Sequence, residues 1–360
     1  MAKFRRLSAG RWGRLVAFVL TAAVVASLAA APGASALVAK KKLAQATLNG
    51  SGSTFQLSYD QVTAAEFKQL QPSVTINYAG GGSGKGRQDF SDQVVDYAGT
   101  DGLYTAAAAS AVKGGAFSYI PTVVAPITVS YNLPSVKKLQ LSGDTVAKIF
   151  QRKVTTWNDP AIAADNPGVS LPSTPITVVR RADSSGTTQN FTLFLTKAAP
   201  STWTLGTGST VSWPDGTQGG NGNAGVSAGV KATEGAIGYV DYSDARAAAL
   251  SFASVKNSAG KFVKPSVKSA TASLEGVTLN ADLTYDPIYP SGAKAYPITS
   301  PTWILVYTNQ TDSAKGAALK AWLTYVLTDG QAVATKIDYA PLPKAFAKQA
   351  LAQVNKIVVP

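Results

Sequence analysis

The chain has 360 residues, 45% of them apolar and 15% charged, with a formal net charge of +13. That length is enough for two domains, each with its own core, and the composition is that of a folded globular protein. Cysteine and histidine are both absent, which excludes disulfides, thiol nucleophiles, thiolate and His-zinc sites and Ser-His-Asp triads. A carboxylate-only or lysine-assisted enzyme remains chemically open.

The positive charge is unevenly placed. Lys3, Arg5, Arg6, Arg11 and Arg14 precede any acidic residue, Leu15–Ala31 is apolar, and Ala34-Ser35-Ala36 is a small-residue cleavage site. Residues 1–36 therefore read as an export signal. An uncleaved anchor is the competing reading, since the apolar stretch comes near the length that spans a bilayer. Arg5-Arg6 hints at twin-arginine export, but the residues after it fit that pattern badly. Residues 37–46, with Lys40-Lys41-Lys42, read as a flexible basic leader. No Arg/Lys stripe is interleaved with aromatics, so nucleic acid is not an expected partner. No cysteine is available for lipid attachment, and no later stretch reads as a transmembrane helix.

Leu48 to Phe55 is a small-residue turn, and Tyr59, Val62, Phe67 and Leu70 then give an imperfect apolar helical face. Val74–Tyr78 is a strand, followed by Ala79-Gly80-Gly81-Gly82-Ser83-Gly84-Lys85-Gly86 and a short helix through Phe90. Glycines allow the close backbone approach an anion-cradling turn needs, although a glycine run is also what a flexible loop looks like. Val94 to Asp101 is a short strand ending in an aspartate.

Tyr119–Asn132 is a long extended run, and a second run leads from Tyr296 into Trp303–Tyr307. Two extended crossings around a central block predict an inserted domain joined by two strands. The first α/β domain would then comprise residues 47–124 and 300–360, and the second residues 125–299. Within the block, Thr145–Phe150 and Trp157–Ala164 read as helix and turn. Residues 206–229 are Gly-rich and polar, Gly235–Val240 is a strand, and residues 251–294 carry no motif. Ala314–Ala334 and Ala345–Val354 read as closing helices. Alternating strands and helices predict parallel sheets, with ligands at the carboxyl ends of the strands.

The stretch with the most chemistry runs from Ile176 to Leu195. A β-branched strand feeds, through Arg180-Arg181-Ala182-Asp183-Ser184-Ser185-Gly186-Thr187-Thr188, a helix with apolar positions at Phe191, Phe194, Leu195 and Ala198. Free N–H groups and the dipole at such a helix start suit an anion, and Arg181 can grip an oxyanion with two hydrogen bonds. An ordinary N-cap with a surface salt bridge explains the same residues. Ser53-Thr54-Phe55, Gly82-Ser83-Gly84 and Ser185-Gly186-Thr187 together make three hydroxyl-bearing helix starts on two domains. Converging on one cleft, they describe a site for a small desolvated dianion. Asp101 is the odd member. It fits a ligand that brings a proton, as monohydrogen phosphate does and sulfate does not. As a bland alternative, it caps the next helix.

These motifs carry a resemblance. Gly52-Ser53-Thr54-Phe55, Asn77-Tyr78 to Gly82-Ser83, Val95-Asp96-Tyr97 to Asp101, Arg180 to Thr187, Gly206 to Pro214, Gly235 to Val240 and Tyr296-Pro297-Ile298-Thr299 follow in order. Across about residues 47 to 350 the chain resembles the extracytoplasmic phosphate-binding proteins of high-affinity phosphate ABC transporters. The resemblance implies a two-domain, hinged α/β periplasmic-binding-protein fold (type II) closing on one phosphate in the interdomain cleft. It implies no chemistry, no catalytic residue, no cofactor and no metal. Thr54, Phe55 and Ser83 would donate from the first domain, and Asp101 would accept the phosphate proton. Arg181, held by Asp183, would pair with the dianion beside Ser185, Gly186 and Thr187. The implied partners are inorganic phosphate and the ABC permease subunits. The implied form is an exported monomer without a lipid anchor, in the periplasm, at the outer membrane face or cell wall, or secreted. The alternatives are a receptor for another oxyanion such as sulfate, a scavenger uncoupled from a permease, and a secreted phosphatase using Ser185 or Thr187. Three departures stand out, the largest being the missing lipid-attachment cysteine. Gln56 occupies a position where the family often has proline, and Lys85 one where a small residue is usual.

Overall fold

The computed structural model describes residues 42–360. The expected signal over residues 1–36, and residues 37–41 of the leader, lie outside the described residues. Among the described residues, no helix is long and apolar enough to cross a membrane. The leader expected through residue 46 gives way earlier to folded chain. Leu43 is buried and its N–H donates to Gln71 Oε1, while Ala46 opens the first strand.

The chain begins with three strand–helix units. They are β1 (Ala46–Gly52) and α1 (Leu57–Leu70), β2 (Val74–Gly80) and α2 (Ser83–Ser91), then β3 (Tyr97–Thr100) and the short α3 (Ala106–Ser110). β1 lies between β2 and β3, parallel to both. In α1 the buried positions Tyr59, Thr63 and Phe67 recur every fourth residue, which places one stripe against the sheet. Gly86 brings α2 hard against β1, where a Cβ would lie 2.5 Å from Gly52 Cα and 2.8 Å from the Ser51 carbonyl. β3 starts later than expected. Val94 is 70% exposed, and pairing with β1 begins at Tyr97.

Both extended runs are strands. β4 (Phe117–Tyr131) is followed by β5 (Gln140–Leu141), α4 (Gly143–Phe150), α5 (Pro160–Asp165), β6 (Thr177–Arg181), α6 (Gly186–Ala198), β7 (Gln218–Gly220), α7 (Gly222–Ala232), β8 (Ala236–Asp241) and α8 (Tyr242–Ala247). Next come β9 (Ser251–Phe252), β10 (Ser254–Lys256), β11 (Phe262–Val263), α9 (Val267–Ala272) and β12 (Thr299–Tyr307). The chain closes with α10 (Ser313–Leu327), α11 (Gln331–Ala334), β13 (Ala340–Pro341) and α12 (Lys344–Asn355).

The main sheet runs β2-β1-β3-β12-β4-β8-β6-β7, and β9 and β13 also pair with β4. β12 pairs antiparallel with β3 and with the first part of β4 from Phe117 to Pro126, whereas Ile127–Tyr131 of β4 pairs antiparallel with β8. β4 therefore joins two parallel sets, β1–β3 and β6–β8. The all-parallel expectation fails here because the two crossing strands run against their neighbours. β5, β10 and β11 form a separate small sheet. One apolar core follows β4 and β12, with Ile120, Val123, Ile127, Trp303 and Ile304 buried, and a smaller cluster of Val179, Val226, Val230 and Val240 lies under α7.

Two stretches differ from the sequence reading. The Gly-rich residues 206–229 hold β7 and most of α7, because glycines at 220 and 225 let α7 approach β7 closely: a Cβ on Gly220 would meet Gly225 C at 2.6 Å. The helix expected over Ala314–Ala334 breaks at Thr328-Asp329-Gly330, where the Gly330 N–H turns back to the Tyr325 carbonyl at 2.8 Å. Residues 251–294 supply β9 to β11 and α9, elements too short to give a periodic signal.

Candidate functional site: a donor-lined cleft at the strand ends

Each residue expected from the sequence stands at or just past the carboxyl end of a strand. Thr54 and Phe55 follow β1, Ser83 follows β2 and opens α2, and Asp101 follows β3. From the other set, Arg181 ends β6, Ser185 caps α6 ahead of Gly186 and Thr187, and Asn221-Gly222-Asn223 leads from β7 into α7. Within each parallel set the following helices start on one side. Because the β6–β8 set runs against the β1–β3 set on either side of β4 and β12, the carboxyl ends of the two sets face one another, so donors and positive dipole ends collect where they meet. The β1 and β2 turns are tied to one another, since the N–H groups of Gly81 and Gly82 both reach the Gly52 carbonyl, at 2.9 and 2.8 Å.

The two rims meet at contact distance. Gly84 N–H donates to the Ser184 carbonyl at 3.0 Å. Gly82 has φ +89 and faces Asp183, whose Oδ2 would lie 2.2 Å from an added Cβ. Both features require glycine there: the backbone is in the left-handed half of φ space and no side chain fits.

A continuous hydrogen-bonded path crosses the cleft. Ser83 Oγ donates to Asp101 Oδ1 at 2.5 Å, and Thr187 Oγ1 donates to Asp101 Oδ2 at 3.3 Å. Arg181 Nη1 donates to Thr187 Oγ1 at 3.1 Å. Arg181 is in turn clamped by Asp183: Nε donates to Oδ1 at 2.7 Å and Nη2 to Oδ2. Asp183 also accepts the Gly222 N–H at 3.1 Å. Burial pushes the Asp183 carboxyl upward, but the Arg181 contacts and the Gly222 N–H outweigh it and leave it below its ordinary value. Ser83, Asp101, Arg181, Ser185 and Thr187 are all buried, and Thr54 is half-buried.

The structure places Thr54, Ser83, Asp101, Arg181, Asp183, Gly186 and Thr187 around one cleft. Two of the expected residues are engaged locally. The Phe55 N–H donates to Ser53 Oγ at 3.0 Å, and Ser185 Oγ accepts the Thr188 N–H at 3.1 Å as the cap of α6. Lys85 turns away from the cleft: its side chain is 59% exposed and pairs with Asp89 at 2.6 Å, one helical turn on.

Three contributors were not found from sequence. Arg87 is buried behind Asp101, where its Nη1 donates to Thr100 Oγ1 and to the Gly102 carbonyl, each at 3.0 Å. Burial lowers the pKa of its guanidinium and the Asp101 charge opposes that shift. Asn190 Nδ2 donates to the Asp101 carbonyl and, at 2.8 Å, to Ser300 Oγ, tying α6 to the β3 end and to β12. Its signal was available, since it lies one helical turn beyond Gly186. Asn223 bridges Thr54 and Thr187, but its run of glycines reads as loop.

Chemically, the arrangement offers hydroxyl and N–H donors and the Arg181 guanidinium around the Asp101 carboxylate, while the Asp183 carboxylate is engaged by Arg181 and Gly222. Among the described residues there is no group of three or more carboxylates placed to hold a metal ion. Such a set recognises an anion that itself carries a proton.

Residues 38–330 match the family model of the PBP superfamily domain. The phosphate-binding protein PstS 3 of Mycobacterium leprae is 36% identical over 321 residues, covering 86% of this chain and 87% of its own. PstS of Pasteurella multocida is 33% identical over 313 residues, covering 85% and 89%. Among solved structures, a high-affinity periplasmic phosphate-binding protein, PfluDING, bound with phosphate superposes with a TM-score of 0.71 at 23% identity, covering 85% of this chain and 93% of that one. A putative phosphate ABC transporter substrate-binding protein with bound phosphate from Clostridium perfringens gives 0.60 at 17% identity, covering 83% and 100%. With this sequence likeness along most of its length and this shared fold, the chain belongs to the PstS family of phosphate-binding proteins within the PBP superfamily.

Proposed function

We propose that this protein binds inorganic phosphate in the cleft between its two parallel strand sets and delivers it to an ABC permease for import. The observation that carries the reading is Asp101, a buried carboxylate set among the Ser83, Thr187 and Arg181 donors. An acceptor in that place attracts a monoprotonated dianion and repels a fully deprotonated one, so phosphate fits the site better than sulfate. Thr54, Phe55, Ser83, Arg181, Ser185, Gly186 and Thr187 are the proposed phosphate contacts, with Asp183 supporting Arg181. The names of the Mycobacterium and Pasteurella relatives support the same ligand. The two lobes would be residues 47–124 with 300–360, and residues 125–299, moving about β4 and β12. The protein would act as an exported monomer outside the cytoplasmic membrane, binding and releasing its ligand without converting it.

Calorimetric titration of the mature chain, unfolded and refolded first to strip carried-over ligand, tests this. Tight one-to-one phosphate binding with sulfate silent is expected. Equal binding of both anions would make the protein a broad oxyanion receptor, and binding of neither would end the reading.

A further inference from the structure

Asn223 occupies the second position of α7 and is fully buried. Its Nδ2 donates to Thr54 Oγ1 at 3.1 Å and to Thr187 Oγ1 at 3.4 Å, and its backbone N–H donates to Thr54 Oγ1 at 3.1 Å. The amide orientation is fixed from the far side, where Oδ1 accepts the Asp241 N–H at 3.2 Å. The group facing the threonines is therefore the NH2.

A hydroxyl has two acceptor lone pairs and one hydrogen. At Thr54 both acceptor positions are taken by Asn223, so only the hydrogen is left to offer. At Thr187 the acceptor positions are taken by Arg181 Nη1 and Asn223 Nδ2, and the hydrogen again points outward, here toward Asp101 Oδ2.

We propose that Asn223 is a positioning residue for the anion: it holds the Thr54 and Thr187 hydroxyls as obligate hydrogen donors and latches the β1–α1 turn to α7 across the closed cleft. This rests on the phosphate-binding reading above. A hydroxyl free to rotate can present a lone pair to a dianion, and filling both lone pairs with N–H groups removes that repulsive alternative. The same bonds join the two strand sets, so they also raise the fraction of molecules in the closed, binding-competent state.

The test is phosphate calorimetry on the parent, Asn223→Ala, Asn223→Asp, Thr54→Ala and the Asn223→Ala/Thr54→Ala double variant. Asn223→Ala should raise the phosphate Kd on the order of 10- to 100-fold, the range for leaving a buried polar partner unsatisfied. Asn223→Asp keeps the shape but puts an acceptor against Thr54, so it should weaken binding further. The double variant should lose clearly less than the sum of the two single losses, because only the part of the Asn223 effect that runs through Thr187 remains once Thr54 is gone, a non-additivity that a purely structural role would not produce. Additive losses, or an Asn223→Asp variant as tight as the parent, would overturn the inference. Should Asn223→Ala fail to fold by circular dichroism, the isosteric Asn223→Asp variant decides. A parent that binds no phosphate would instead overturn the functional reading, and the inference with it.

Discussion

Gly186 and Asp101 face each other so closely across the cleft that a Cβ on Gly186 would lie 2.6 Å from Asp101 Cγ, and equally 2.6 Å from Ser83 Oγ. The first position of α6 is thus glycine for reasons of approach, and its φ is not in the left-handed region. Gly186→Ala should accordingly separate two effects. The helix itself gains about 1 kcal/mol of propensity, so the ligand-free protein should melt no lower than the parent. Closure must push Asp101 and Ser83 aside at about 1–3 kcal/mol, which should raise the phosphate Kd by roughly 5- to 150-fold. Calorimetry paired with thermal melts measures both. An unchanged Kd would mean that the ligand does not sit where these two residues meet.

Asp101 should matter for which anion binds more than for the fold. In Asp101→Asn the Oδ1 oxygen can still accept from Ser83, but the second position becomes an NH2 that donates. Phosphate loses its proton acceptor, and sulfate gains a donor in place of a repelling charge. The expected outcome is weaker phosphate binding together with measurable sulfate binding, read by titrating both anions. Equal rejection of sulfate by variant and parent would refute the role given to this carboxylate.

Arg181 and Lys85 are both cations near the cleft in sequence, and the structure separates them. Arg181 is 3% exposed and clamped by Asp183, whereas Lys85 reaches solvent and pairs with Asp89. Arg181→Ala should cost about 2–5 kcal/mol of phosphate binding, partly because it strands the Asp183 carboxylate. Lys85→Ala removes an exposed one-turn ion pair and should change binding and stability by no more than about 0.5 kcal/mol. Similar Kd changes for the two variants would show that the site has been misplaced.

Much of this site could be read before the fold was seen, and the reason is local. Ser83, Asp101 and Arg181 each follow or end a strand legible in the sequence, Thr54 lies in a small-residue turn, and ligands gather at the carboxyl ends of parallel strands. What could not be read depended on approach between distant segments. Asn223 lies in a glycine run that looks like loop, yet those glycines are small because α7 must lie on β7. Arg87 sits on a short helix with no apolar stripe to mark its buried face. The antiparallel course of β12 was likewise hidden, because extended runs carry no mark of direction. Lys85 shows the converse: it is close to Ser83 in sequence but lies on the opposite, solvent-facing side of the same helix.

Gln56, where the family often has proline, is buried and donates from Nε2 to Asp60 Oδ2 at 2.8 Å. Burial raises the Asp60 carboxyl from 3.8 to about 8, against the opposing pull of that hydrogen bond. Its charge acts in turn on the phenols of Tyr59, Tyr78, Tyr97 and Tyr339, none of which brings a positive charge. Among the described residues, Asp60 Oδ1 and Gln56 Oε1 have no hydrogen-bond partner, as fits a carboxyl that keeps its proton. In the window between about 4 and about 8 the folded state binds this proton and the unfolded state has released it. Stability from this group is therefore complete below about pH 4 and is lost as pH rises through about 8. Asp60→Asn removes the titration while keeping an oxygen for Gln56 Nε2. Thermal melts of the two proteins should converge near pH 4 and separate with rising pH, the variant becoming the more stable. A difference in Tm that stays constant across that window would show that Asp60 titrates as an ordinary exposed carboxylate does.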